Sequence, residues 1–287
     1  MKSQSKDTGD NSLKTGLLKL PSGTLTYIDE GEGASLVVVH GTPSWPTLYQ
    51  PLLQDLCRKH RCIAIASFVP AQQSQPEDWT FNPKTHTELL EQLLAHLKLR
   101  ELTLLLHDAG IPAGLAYAIQ HADTINNLIL LNTSSCSFTK NTKHTGSAGR
   151  PTLHLGKLLY ARLHAFRPTL AKKLLGSNLP AAASQQGANL AAGTKELAEI
   201  TAWYNEHWQN RSSIQGIATL LLWGECDKLT SMKSLQKWKQ FFHECYVIHL
   251  ESSTYSLEGE PMRDIAGYLN NFIVEERKKR VPVPLSS

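Results

Sequence analysis

The stretch LTLLLHDAGIPAGLAYAI, residues 102–119, runs an apolar segment of strand length into Asp108 and then, past Gly110, into an apolar helical pattern. A carboxylate on a sharp strand-to-helix turn can serve as a nucleophile, because backbone N–H groups beside such a turn are placed to stabilise an oxyanion. Asp108, followed by Ala109 and Gly110, has that arrangement. The same aspartate also suits a cap for the first turn of IPAGLAYAI, and capping preference alone leaves both readings open. Other polar residues that end apolar runs are His40 with Gly41, Asn132, Asp227 and the segment after Leu250. Ligands of open α/β sheets bind beyond the carboxyl ends of the strands, so these positions are the candidate set.

The elements that must position them are visible as patterns. ASLVVVHG, RCIAIASF, ELTLLLHD, NNLILLN, ATLLLWG and CYVIHL are continuous apolar runs, as parallel strands buried on both faces are. Helical patterns separate them: LYQPLLQDLCRKH, HTELLEQLLAHLKL, IPAGLAYAIQHA, SMKSLQKWKQFF and EPMRDIAGYLNNFIVEERKK. This alternation predicts an α/β fold, a mostly parallel sheet covered by helices on both faces. KTGLLKLPSGTLTYIDEGEG reads as an antiparallel hairpin turning near Ser22 and Gly23. Between Asn132 and about Gln215 the strand signal stops, and a Ser/Thr/Lys-rich stretch leads into Ala/Leu/Lys helical patterns. The expected organisation is therefore a core over 15–134 and 213–280, a helical cap inserted at 135–212, and tails at 1–14 and 281–287. Trp203, Tyr204 and Trp208 fall at helical spacing, and either pack the cap onto the core or line a cleft.

Composition narrows the function classes. Hydrophobic residues make up 41%, charged residues 19%, and the net charge is +4, which is a globular balance without a basic stripe for nucleic acid. The basic EERKKR segment suits the C-terminal dipole of a solvated helix end. The five cysteines are scattered without a CxxC pair, so neither a disulfide framework nor a zinc site is expected, and no other metal or cofactor is. No apolar h-region opens MKSQSKDTGDNSLK and no run of eighteen apolar residues occurs, so the expectation is a cytoplasmic protein without membrane attachment. A small apolar molecule is the expected partner, and the oligomeric state is left open.

Several segments in order carry a resemblance. HGTPSWPTLYQPL is similar to the HGxPxWxxLY oxyanion segment, and LLLHDAGIPAGLAYA to the HDWGGPxGLAYA nucleophile elbow, of the haloalkane dehalogenase-like branch of the α/β-hydrolase superfamily. PEDWTF with the helix after it, NLILLNTSS and LLWGECDKLT resemble the approach to the elbow, the strand before the cap and the acid-bearing strand. The resemblance runs from about Gly23 to Phe272 and is weakest in the cap. It implies Asp108 as nucleophile, Asp227 as acid partner, and Thr42 and Ala109 as donors of oxyanion-hole N–H groups, with Trp45 beside the oxyanion loop. In such enzymes the carboxylate attacks carbon to form an ester, and a histidine activates the water that cleaves it.

Here the pattern breaks. Matching LEGEP to the family places Thr254 at the histidine position, and no histidine follows His249. A threonine hydroxyl holds its proton too tightly to act as a base near neutral pH. His249 lies five residues upstream inside CYVIHL, roughly 16 Å of extended chain away, and is expected to pack under the sheet's end rather than to substitute. Ala109 replaces the halide-holding tryptophan, and Ile111 stands where the second elbow glycine is, a place where a β-branched side chain should crowd the helix against the strand. FVPAQQSQP has none of the glycines usual after that strand. Two classes remain: an Asp-nucleophile hydrolase acting on alkyl halides, epoxides or lactones with its second step impaired, and a non-catalytic member of the fold that binds a small apolar ligand or a protein surface.

Overall fold

The computed structural model describes residues 13–40, 49–71, 82–107, 110–131, 202–224, 232–250 and 260–280. All six apolar runs are strands: β3 (Ala34–Val39), β4 (His60–Pro70), β5 (Leu102–His107), β6 (Ile125–Leu131), β7 (Ala218–Gly224) and β8 (Cys245–Leu250). They follow the hairpin of β1 (Thr15–Leu20) and β2 (Gly23–Glu30). Together they form one eight-stranded sheet in the order β1-β2-β4-β3-β5-β6-β7-β8. β2 pairs antiparallel with β1 and β4, and every pairing from β4 across to β8 is parallel.

Alternate side chains of each strand go to opposite faces, and both faces are covered. On one face Val37, Val39, Leu104, Leu106, Leu128 and Leu130 join a core closed by three helices, α2 (Pro83–His96), α3 (Ile111–Gln120) and α5 (Met232–Phe241). On the other, Leu36, Val38, Leu105, Ile129, Leu220 and Leu222 pack under α1 (Gln50–Leu56) and α6 (Glu260–Arg280). Burying each such side chain is worth roughly 1.5–3 kcal/mol, which is why the central strands tolerate no polar alternation.

Helix α4, residues 202–209, settles the aromatic triplet. Tyr204 and Trp208 are buried in the first core, Trp208 lying 5.4 Å from Phe241 and 6.2 Å from Trp238 between ring centroids. Their helix therefore packs on the sheet's helical cover. The rest of the expected cap, 135–201, lies outside the described residues. No helix among the described residues is long and apolar enough to cross a membrane.

β4 runs past its expected end at Phe68. Its pairing with β3 stops at Ala64, but Phe68, Val69 and Pro70 continue opposite Leu25, Thr24 and Gly23 of β2, beyond a bulge at Thr26/Tyr27. With one strand partner only, a proline at the strand end costs no ladder bond.

A polar chain, buried at its strand end, ties the last helix to the sheet. Asn127 donates from Nδ2 to Thr103 Oγ1 at 3.0 Å, and its Oδ1 accepts from the Arg280 guanidinium at 2.9 Å. Replacing Thr103 with valine preserves shape but strands the Asn127 amide, so Thr103→Val should lose about 1–3 kcal/mol in urea denaturation. A variant as stable as the parent would show that the buried pair contributes nothing.

Candidate active site

The parallel register brings the carboxyl ends of five strands to one edge. His107 of β5 is level with Leu131 of β6, Leu131 with Leu222 of β7, and Leu222 with Ile248 of β8, while β3 ends at Val39 beside Leu106. From these ends leave the segments 41–48, 108–109, 225–231 and 251–259, which contain Thr42 and Trp45, Asp108 and Ala109, Asp227, and Thr254. All six of those residues lie outside the described ones, so the structure supplies the frame that carries them.

At the frame's centre the chain leaves β5 and re-enters at Gly110, directly before α3. Gly110 is the N-cap residue and makes no side-chain cap bond, so Asp108 stands two positions outside the cap it was weighed for. A Cβ on Gly110 would lie 2.4 Å from the Val39 carbonyl oxygen and 2.8 Å from the carbonyl carbon of His40. That contact is backbone against the elbow, and only glycine fits it. One turn on, a Cβ on Gly114 would meet a Leu106 methyl at 2.2 Å. The close approach of helix to strand therefore falls on Gly110 and Gly114. Ile111, expected to crowd it, is instead a buried member of the core.

Around the elbow stands a group of polar rings, of which the sequence patterns singled out only His40. His40 is buried and donates from Nε2 to the Ile65 carbonyl at 3.0 Å, which fixes its tautomer. Buried Tyr49 shares a hydrogen bond between its hydroxyl and His107 Nδ1. His40 and Tyr49 flank the segment 41–48 and their rings lie 5.8 Å apart, so both ends of the expected oxyanion loop are held by buried side chains. One of those ends is bonded to His107, the residue preceding Asp108. The tyrosine of the LYQPL segment and the histidine of HGTP were the available signals, but their meeting with β5 is a matter of strand order.

His86, in the first turn of α2, completes the group 6.2 Å from His40. Burial, and secondarily the facing His40, push its pKa down to about 3, so it is neutral at physiological pH. Its neighbour Thr87 donates to Ala113 of α3 at 3.0 Å, which locks α2 against the elbow helix.

His249 differs from expectation. It lies inside regular β8 opposite Trp223, and its side chain is exposed, not packed under the sheet's end, because β8 is the edge strand. Three strand spacings separate β8 from β5. At about 4.8 Å each they set the two backbones about 14 Å apart, too far for one imidazole to reach a residue at the β5 end.

Comparison with known proteins agrees with this frame. Residues 34–253 match the family of the α/β hydrolase fold. Among curated proteins, the cis-3-alkyl-4-alkyloxetan-2-one decarboxylase of Shewanella oneidensis is 34% identical over 126 residues, which is 43% of this chain and 40% of that protein. Haloalkane dehalogenase 2 of Mycobacterium bovis is 28% identical over 111 residues, 39% of each chain. The matches thus span about two fifths of the length of these relatives. A haloalkane dehalogenase loop variant from Bradyrhizobium elkanii superposes with a TM-score of 0.62 at 15% identity, covering 94% of this chain and 100% of that one, a likeness of fold.

Two outcomes follow from the site's geometry. Gly110→Ala forces backbone apart and should destabilise by about 1–3 kcal/mol or more. Gly114→Ala meets only a leucine methyl and regains helix propensity of about 1 kcal/mol, so its loss should be the smaller in chemical denaturation; the reverse order would misplace the tight contact. The second concerns pH. His86 has a folded pKa below its ordinary 6.5, so its contribution is full above pH 6.5 and is lost as pH falls from there toward 3. His60, also lowered chiefly by burial, acts in the same sense. Each group adds a slope of up to about 1.4 kcal/mol per pH unit, and His86→Leu should flatten the dependence of the urea midpoint between pH 6.5 and 4; an unchanged slope would show His86 to be accessible to protons.

Proposed function

The chain belongs to the α/β hydrolase fold family, and on that footing we propose that Asp108 is a carbon-directed nucleophile of haloalkane dehalogenase type. The observation that supports this reading is the frame of an elbow: β5 ends at His107, Gly110 sits against the β3 carboxyl end, and α3 begins at Ile111, so only two residues join the strand to Gly110. One Asp108 oxygen attacks an electrophilic carbon, an ester C–O bond forms, and halide leaves, or the C–O bond of an epoxide or lactone ring opens with the alkoxide or carboxylate retained on the product. Thr42 and Ala109 supply the oxyanion-hole N–H groups, Asp227 is the acid partner, Trp45 packs beside the loop, and a helical cap over 135–201 covers the apolar cleft. Strained four-membered lactones fit the electrophile class, since one similar protein is named for an oxetan-2-one.

Thr254 supplies no base for the second step, and His249 points to solvent from the far edge of the sheet. The ester is therefore long-lived. This same feature favours a second reading, a non-catalytic member of the fold whose cleft holds a small apolar ligand or a protein surface.

Incubation with a panel of alkyl bromides, epoxides and β-lactones, followed by intact-mass measurement, separates the two. The proposed nucleophile gains the mass of the alkyl group on the peptide around HDAGIPAG, Asp108→Asn abolishes the adduct, and Thr254→His speeds its hydrolysis by about 10²–10⁴, the usual worth of a general base. A folded sample that takes up no label from any of the three classes supports the binding-only reading. Rapid turnover by the parent protein would overturn the missing base.

A further inference from the structure

The sheet ends on one side in an unguarded strand. β8 is the last in the order, and its parallel register with β7 leaves its other side without a strand partner among the described residues. All seven residues of β7 are buried, whereas none of the six in β8 is fully so. An open edge invites pairing with another chain, and folded proteins block it with charged side chains, proline or a bulge. At the opposite edge β1 carries the exposed Lys19. CYVIHL has no proline, lysine, arginine or carboxylate, and its register with β7 runs without a bulge.

The direction of the backbone groups decides what fits there. The Glu244 carbonyl accepts from the Thr219 N–H at 2.9 Å, and Thr219 is level with Cys245. In a parallel ladder the N–H and C=O of one residue point to the same side, and the next residue's point to the other. Tyr246 and Ile248 therefore bond to β7, while the backbone groups of Cys245 and Val247 point out of the sheet. Two outward residues flanking an inward one are their own complement under a two-fold axis. With Tyr246 opposite the same tyrosine of a second copy, Cys245 of each chain meets Val247 of the other, and each such pair exchanges two N–H···O bonds.

The side chains suit this register. Tyr246 occupies the pair without hydrogen bonds, where facing side chains are closest and aromatic pairs are favourable. Its ring is exposed and lies 5.7 Å from that of Phe272 on α6. Tyr268, one helical turn before Phe272, is a second exposed ring of that helix. The Lys279 ammonium stands 5.1 Å from the centre of the Tyr246 ring and is paired at 2.7 Å with both Glu244 and Glu276 of its own chain. Two copies can thus meet here without setting unpaired like charges against each other.

We propose that this protein forms a two-fold dimer through β8, strand against antiparallel strand and centred on Tyr246, so that the sheet continues from one copy into the next. A second copy is the occupant because the axis matches each outward backbone group, and the exposed ring between them, with an identical counterpart. The contact uses no residue of the proposed hydrolase site, so it stands or falls apart from that reading.

Sedimentation velocity of the full chain from about 1 μM to about 100 μM should show a species of twice the chain mass that grows with concentration. Hydrogen exchange at the Cys245 and Val247 amides should slow over the same range. Val247→Pro removes an outward N–H and no bond to β7, so the folded variant should stay monomeric. Where circular dichroism shows it unfolded, Tyr246→Lys takes its place, because it sets two like charges directly opposite each other. The register is read by a disulfide: in Cys245→Ser combined with Tyr246→Cys, the opposed Cα atoms stand about 4.5 Å apart, so mild oxidation should give a dimer that dithiothreitol releases. The proposal is overturned if the parent is monomeric throughout, if folded Val247→Pro or Tyr246→Lys dimerises as the parent does, or if a dimer forms without a link at position 246. A monomer whose Val247 amide is protected would overturn it in favour of another segment of the same chain.

Discussion

The contact on which the site depends is that between the Val39 carbonyl and residue 110, where the carboxyl end of β3 meets the turn out of β5. Two backbone segments approach so closely there that one of them must lack a side chain, and the close approach is what lets α3 start immediately after the strand. From that point the rest follows in order. α3 lies flat on β5 because Gly114 leaves room for Leu106, α2 is held to α3 through Thr87, and α2 in turn carries His86 to the side of His40. A shift at residue 110 would therefore move the strand ends, the helix and the ring group together.

The ring group has an electrostatic consequence of its own. His86 is kept neutral by burial, so it places no positive charge behind the elbow, and the Ile65 carbonyl orients the His40 ring.

Much of the scaffold was legible because parallel strands covered on both faces must be apolar throughout, and LVVV, LLLH, LILL and TLLLW are hard to read otherwise. The extension of β4 was not, since Phe68 to Pro70 pair on one side only and their pattern is that of a loop. His249 was misjudged because an identical apolar alternation serves a central strand and an edge strand, and strand order is a tertiary property. The Tyr49–His107 bond was hidden for a related reason: it joins residues far apart in the chain, and only packing decides which ends meet. The site motif itself was readable as a family likeness in short segments, while Asp108, Asp227 and Thr254 fall in the connections between elements, where periodicity carries no signal.

The placement of α4 bears on how such chains diversify. The long connection leaves the sheet at Leu131 and is back on it by Tyr204, whose ring is anchored in the same core as α3 and α5. Both anchor points are buried: Leu131 in the core under α1 and α6, Tyr204 in the core under α2, α3 and α5. Lengthening a chain segment fixed at both ends is cheap, about 0.6 kcal/mol for each doubling. Length can thus be added between the two anchors at small entropic cost, and this part of the gene is where selection, or a protein engineer, has room to graft a new specificity onto the frame.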